Sequence, residues 1–122
     1  MRIMITTTKP EFDSPVDPNF GRGAYFVVVE TNGMEWQAYP NPAVGAPGGA
    51  GIQAAQFVSE HKAERVISGD FGPKAHQALM AAGVGMYLAG ASASARQAVA
   101  HLEAGELERL GESGRQGSKS GN

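Results

Sequence analysis

The sequence predicts a small α/β domain built on a mixed sheet. Three observations carry this. The second half of the chain alternates short β-branched runs with amphipathic helical patterns, which implies parallel strands joined by crossover helices. Two apolar runs in the first half flank an Asn-Gly pair, which marks an antiparallel hairpin. The chain of 122 residues is 42% apolar, enough to build one core and short for two domains.

Arg2 to Thr8 is a β-branched and apolar run and reads as the first strand. Lys9 to Gly23 follows with Pro10, Pro15 and Pro18, and reads as a long loop, a kind of segment that is often functional. Ala24 to Glu30 contains Tyr25-Phe26-Val27-Val28-Val29, a strong strand pattern. Met34 to Tyr39 resumes after Thr31-Asn32-Gly33, with Met34, Trp36 and Ala38 on one side and Glu35, Gln37 and Tyr39 on the other. Pro40 to Gly51 is a connector rich in proline and glycine.

Ile52 to Lys62 turns helical, with Ile52, Ala55 and Val58 on one stripe and Phe57 beside it. Arg65 to Ser68 is a fourth strand, and Gly69 to Gly72 a turn. Pro73 suits a first helical position, where no N–H partner is needed. Ala75, Ala78, Leu79 and Ala82 continue the helical spacing, and Gly83 suits its C-terminal cap. Val84 to Ala89 is the fifth strand. Ser92 or Ser94 can cap a last helix carrying Ala95, Ala98, Val99 and Leu102. Residues 1–110 form the expected domain. The composition of 111–122 cannot bury a core and reads as a disordered tail.

Composition excludes several function classes. With no cysteine there is neither a disulfide nor a thiolate metal site. The net charge of −2, from ten Lys+Arg and twelve Asp+Glu, argues against a nucleic-acid partner. There is no apolar run of membrane-spanning length and no signal-peptide pattern, so a cytoplasmic location is expected. His61, His76 and His101 match no metal spacing and read as polar positions on helices, with His76 notable for lying near a helix start. No G-x-S-x-G elbow occurs, and Asp70-Phe71-Gly72 lacks every other kinase signature. No acid–base pair stands out, so no catalytic residue and no metal ligand is assigned.

Three glycine-bearing segments have the chemistry of an anion site. Gly45-Ala46-Pro47-Gly48-Gly49-Ala50-Gly51 leads into a helix, whose N-terminal N–H groups and dipole attract negative charge. It is equally readable as a flexible connector with a glycine cap. Gly69-Asp70-Phe71-Gly72-Pro73-Lys74 ends a strand and opens a helix, and ligands of open α/β sheets bind beyond the carboxyl ends of parallel strands. Lys74 opposes the helix dipole there, either as an ordinary surface lysine or as a partner for a bound anion. Arg22, between Gly21 and Gly23, is suited to gripping an anion, although taken alone it reads more readily as a solvated loop arginine.

Taken in order, these segments resemble one family. Asp13-Ser14-Pro15-Val16 with Asn19-Phe20-Gly21-Arg22 is similar to an S-x-V…H-F-G-R segment. Pro47 to Ala55 is similar to a glycine-rich helix start, and Gly69 to Ala75 to a G-x-x-G-P-x-A turn. The family is the dinitrogenase iron–molybdenum cofactor biosynthesis family, of the NifX and NafY type, and the resemblance runs from Met1 to about Leu110. It implies a three-layer, ribonuclease-H-like fold with a five-stranded mixed sheet. It also implies a non-catalytic binder or carrier of an iron–sulfur or iron–molybdenum cluster precursor, exchanging cargo with donor and acceptor proteins. Asn19 stands where the family commonly has a histidine, and an amide is a poor ligand for a soft iron cluster. Binding is therefore expected through hydrogen bonds and charge at Asn19, Phe20, Gly21, Arg22, Gly48, Gly49, Gly51, Gly69, Asp70, Gly72 and Lys74. The alternative is an interaction or regulatory module without cofactor that self-associates through the hairpin and Trp36. In either case a monomer or weak homo-oligomer is expected.

Overall fold

The computed structural model describes residues 1–111 and 114–115. Strands β1 (Arg2–Thr7), β2 (Tyr25–Glu30) and β3 (Glu35–Pro40) are followed by helix α1 (Ala50–Glu60), β4 (Arg65–Ser68), α2 (Pro73–Ala81), β5 (Gly85–Leu88), α3 (Ala95–Glu103), β6 (Arg109–Gly111) and β7 (Gly114–Arg115). One sheet holds all the strands in the order β3-β2-β1-β4-β5-β6-β7. β1, β4 and β5 are parallel neighbours, whereas β2 runs antiparallel to both β1 and β3.

The sheet is covered on both faces, so its central strands alternate between two apolar cores. Met4, Phe26, Val66 and Met86 face α1 and α2, meeting Ala54, Ala55, Val58, Ala75 and Leu79. Ile3, Ile5, Val27, Val29 and Ile67 face α3, meeting Ala95, Ala98, Val99 and Leu102, with Phe12 from the first loop. The result is three layers.

The sheet has more than the five expected strands: seven among the described residues, of which six have three residues or more. β6 and β7 extend it beyond β5. Leu110 pairs with Met86 and buries its side chain in the α1/α2 core. A single apolar residue in a three-residue strand has no periodicity to read. Of the expected tail, Gly111 and 114–115 lie in these strands, and residues 112–113 and 116–122 lie outside the described residues.

Three local expectations change. The hairpin turn occupies residues 31–34 rather than an Asn-Gly pair, and Met34 takes the left-handed conformation at φ 54°. β3 therefore begins at Glu35. Helix α1 starts two residues early, at Ala50, because Gly49 supplies the left-handed N-cap at φ 71°. Its buried stripe is Ala50, Ala54, Ala55 and Val58, and Ile52 points to solvent. The small residues on that stripe let α1 lie close to α2. Pro73 does open α2, Gly83 does follow its end at φ 76°, and Ser94 rather than Ser92 caps α3 by accepting from the Gln97 N–H at 3.1 Å.

The long first loop is anchored at both ends. Near its start, the carbonyls of Phe12 and Ser14 accept from the N–H groups of Arg96 and Ala95, both at 2.9 Å, so the loop completes the capping of α3. The Arg96 guanidinium lies over the Phe12 ring, 4.4 Å from its centroid, and donates to the Asp13 carboxylate at 2.7 Å. Further along, the Asp17 carbonyl accepts from the Thr6 hydroxyl at 2.9 Å and from the Gly69 N–H at 3.3 Å. This lays the loop across the carboxyl ends of β1 and β4. Pro18 is so near Gly69 that a Cβ there would sit 2.5 Å from the Pro18 Cα.

Two predictions follow from this anchoring. Gly69→Ala must displace backbone against backbone, and should lower stability by about 1–3 kcal/mol, read as a lower denaturant midpoint. The hydrogen bond from Arg96 holds the Asp13 carboxyl below its usual value. A depressed folded-state pKa stabilises above the unfolded value and is lost as pH falls through the folded one. Asp13→Asn should therefore flatten the acid limb of the stability–pH curve slightly and leave stability at acidic extremes unchanged.

Candidate functional site

The carboxyl ends of β1, β3 and β4 release the first loop, the 41–49 segment and the 69–72 turn to the same end of the sheet. There they enclose an open cleft of about 500 Å³. Asn19, Gly21 and Arg22 form one wall, Gly49, Ala50 and Gly51 a second, and Gly72, Pro73, Lys74 and Ala75 a third.

The walls meet at positions without side-chain bulk. A Cβ on Gly21 would lie 3.1 Å from the Gly51 nitrogen, and one on Gly51 would lie 3.2 Å from the Ala75 Cβ. Gly21, Gly51 and Ala75 thus stack the loop on α1 and α1 on α2. Gly23 closes the loop on itself, since a Cβ there would fall 2.5 Å from the Asn19 carbonyl oxygen. The Asp17 carboxylate fastens the same closure, accepting from the N–H groups of Asn19 at 2.9 Å and Ala24 at 3.4 Å.

The backbone adds to the charge that Lys74 and Arg22 bring to the cleft. In α1 the first intrahelical hydrogen bond is Gln53 to Gly49, so the N–H groups of Ala50, Gly51 and Ile52 precede it. In α2 the first is His76 to Gly72, leaving those of Lys74 and Ala75. Neither helix has a side-chain cap, and neither carries an acidic residue in its first turn. α3 is different: Ser94, Phe12 and Ser14 cap its first N–H groups. The two positive helix ends thus converge on a cleft whose lining, among the described residues, holds Lys74 and Arg22 and no carboxylate.

Of the expected site residues, Asn19, Gly21, Arg22, Gly49, Gly51, Gly72 and Lys74 line the cleft. Phe20 is not a surface contact. It is buried between Phe26 and Phe71, with ring centroids at 5.6 Å and 5.3 Å, and anchors the loop in the core. Gly48 is exposed beside the cleft without lining it, and Gly69 serves the Pro18 crossing. Asp70 turns its carboxylate to its neighbour, accepting from the Phe71 N–H at 2.8 Å. The Arg22 guanidinium is partly engaged, donating to the carbonyls of Ala46 at 3.0 Å and Val44 at 3.3 Å. Gly51 and Gly21 are small because backbones meet there, in addition to any room they leave for a ligand.

Sequence reasoning missed Asn41. It is buried, and its side-chain nitrogen lies within bonding distance of the Gly23, Gly21 and Phe20 carbonyls. An asparagine directly after a strand, between Pro40 and Pro42, was the available signal. The histidines are engaged locally. His61 packs on Phe57 and Tyr39, His76 donates to the Gly111 carbonyl, and His101 bonds to the Ser92 hydroxyl at 2.8 Å. Among the described residues no group of three His, Asp or Glu side chains could hold a metal ion.

The fold and cleft define a class: a small α/β domain that presents an electropositive, backbone-lined cleft at the carboxyl edge of its sheet. The sequence profile of the dinitrogenase iron-molybdenum cofactor family matches residues 1–105, and the chain belongs to that family. A comparison with curated proteins finds no match. Among solved structures, the apo form of the orange protein from Desulfovibrio gigas is 38% identical, with a TM-score of 0.86 over 95% of this chain and 96% of that one. A candidate NifB protein from Thermotoga is 27% identical, with a TM-score of 0.79 over 95% of this chain and 98% of that one.

Phe20→Ala should cost about 3–5 kcal/mol, the scale of removing a buried aromatic. Urea unfolding would measure it, and a near-neutral result would contradict the core role assigned to Phe20.

Proposed function

We propose that this protein is a non-catalytic carrier that holds an anionic metal cluster, a precursor of the iron–sulfur or iron–molybdenum type, in the cleft between the first loop and the starts of α1 and α2. The observation that carries this reading is the convergence of two helix N-termini without side-chain caps on a cleft that, among the described residues, contains Lys74 and Arg22 and no acid. Membership of the family and likeness to the orange protein support a cofactor-handling role.

The residues suit a cluster held as cargo and do not suit one ligated by the protein. The chain has no thiolate, and Asn19 offers an amide where the family commonly has histidine. Lys74, Arg22 and the N–H groups of Ala50, Gly51, Lys74 and Ala75 would supply charge and hydrogen bonds around a cluster that brings its own ligands. Asn19, Gly21, Gly49 and Gly72 would shape the rim, with Gly48 beside it, while Phe20, Gly69 and Asp70 act by holding the walls. An open cleft suits transfer between donor and acceptor proteins, and the cytoplasm, where such clusters would be exchanged, is the proposed location.

The ribonuclease-H-like assignment belongs to the same reading. The order β3-β2-β1-β4-β5 with only β2 reversed agrees with it. A second reading, self-association, is favoured by one observation: β3 is a sheet edge and Trp36 on it is 41% exposed.

An anaerobic titration with an anionic, thiolate-ligated iron–sulfur cluster, followed by visible absorbance and bound iron, tests the carrier. The native protein should bind stoichiometrically, and Lys74→Ala should weaken binding about three- to tenfold, the scale of one charge-assisted hydrogen bond. Binding only in Asn19→His would show that a cluster at this site needs a ligand that Asn19 does not supply, and would overturn the carrier reading for this chain. No binding in any variant, with a concentration-dependent dimer broken by Trp36→Ala, would favour the interaction module.

A further inference from the structure

We propose that Asn41 is the positioning residue of the cleft, setting its affinity without touching its ligand. The inference rests on the carrier reading above. Asn41 stands one residue beyond β3 and is buried, with 2% of its surface exposed, and it does not line the cleft. Its backbone N–H extends the β2–β3 ladder to the Ala24 carbonyl at 3.0 Å, so its main chain is tied to the end of the sheet.

The side chain uses both ends of its amide. Its nitrogen donates to the Gly23 carbonyl at 2.9 Å and the Gly21 carbonyl at 3.2 Å, with the Phe20 carbonyl at 3.4 Å. Its oxygen accepts from the Ala43 N–H at 2.9 Å. Residues 20–23 form the wall that carries Gly21 and Arg22. Residues 41–46 begin the segment that delivers the N-terminus of α1. One buried amide therefore ties together the two chain segments that face each other across the cleft. Arg22 adds a second rung between them through the Val44 and Ala46 carbonyls.

No other side chain of this size does both jobs. An aspartate would oppose the three carbonyls with a further acceptor, and leucine or alanine would leave carbonyls unpaired in a buried place. The consequence is specific. The Gly21 main chain is held against Gly51, so the N–H groups of α1 and the Arg22 wall keep their spacing before any ligand arrives. Such preorganisation raises affinity by removing the ordering cost of binding.

The test compares affinity for the same anionic iron–sulfur cluster in the native protein, Asn41→Ala, Asn41→Ser and Val99→Ala. Asn41→Ser is the milder of the two site variants and remains measurable if Asn41→Ala does not fold. Val99→Ala opens a cavity in the α3 core, on the other face of the sheet. It serves as the reference for lost stability alone. Asn41→Ser should weaken binding about tenfold or more, and amides of residues 19–23 and 43–46 should exchange faster while those of β1 and β4 stay protected. Val99→Ala should bind the cluster like the native protein.

Equal affinity loss in Asn41→Ser and Val99→Ala would reduce Asn41 to a stability role and overturn the inference. So would native affinity in Asn41→Ser. If Lys74→Ala weakens binding while Asn41→Ser does not, this inference alone fails. If the native protein binds no cluster, the carrier reading fails and this inference with it.

Discussion

Three stretches of main chain meet in this protein at positions where a side chain would keep them apart. Gly21 lies on Gly51, Gly51 lies on Ala75, and Pro18 crosses Gly69. Contacts this close need one partner without Cβ, or two small ones. They stack the first loop, the start of α1 and the start of α2 in one place. Everything that makes the cleft follows from that stacking, because it brings two helix dipoles side by side. Two positive ends so close would repel, and among the described residues neither the loop nor a side chain caps them as Ser94 and the first loop do for α3. An anion in the cleft would relieve that repulsion, which links the packing constraint to a function.

The sheet supplies the frame for this arrangement. Its central strands are apolar on both faces, so α1 and α2 must cover one face and α3 the other. The chain leaves the sheet at the carboxyl ends of β1, β3 and β4 with the same polarity, and these exits carry the loop and the two helix starts. Buried hydroxyls on Thr6 and Ser68 meet the Asp17 carbonyl there, so the loop hangs on the strand ends through satisfied polar groups. The cleft thus rests on rigid elements, although its near wall is a loop.

Much of the fold was legible from local chemistry. Helix starts at Pro73 and Ser94, the helix end at Gly83, and the strand runs around Val27 and Ile67 all state a local preference that the whole molecule keeps. The glycine-rich segments were legible as sites of close approach, but the partner of that approach was not. Gly51 and Gly69 read as places for a ligand to come near; at both the protein's own backbone comes near, and Gly51 lines the cleft as well. Phe20, adjacent to a cleft residue in sequence, turns the opposite way into the core. Asn41 joins Ala43 to carbonyls about twenty positions earlier in the chain, and its place between Pro40 and Pro42 marks a special position without naming those partners.

By itself the sequence determined the α/β class, the antiparallel hairpin, the three helices and the absence of thiolate chemistry. These depend on residue type and on spacing within a few positions, where periodicity and capping act. Only the tertiary structure decided that the three glycine-bearing segments share one cleft, that Arg22 lends part of its guanidinium to the opposite loop, and that β6 and β7 continue the sheet past β5. Each of those rests on a contact between residues distant in the chain, for the added strands the pairing of β6 with β5. Its energy comes from packing and desolvation at a meeting point that no local pattern encodes.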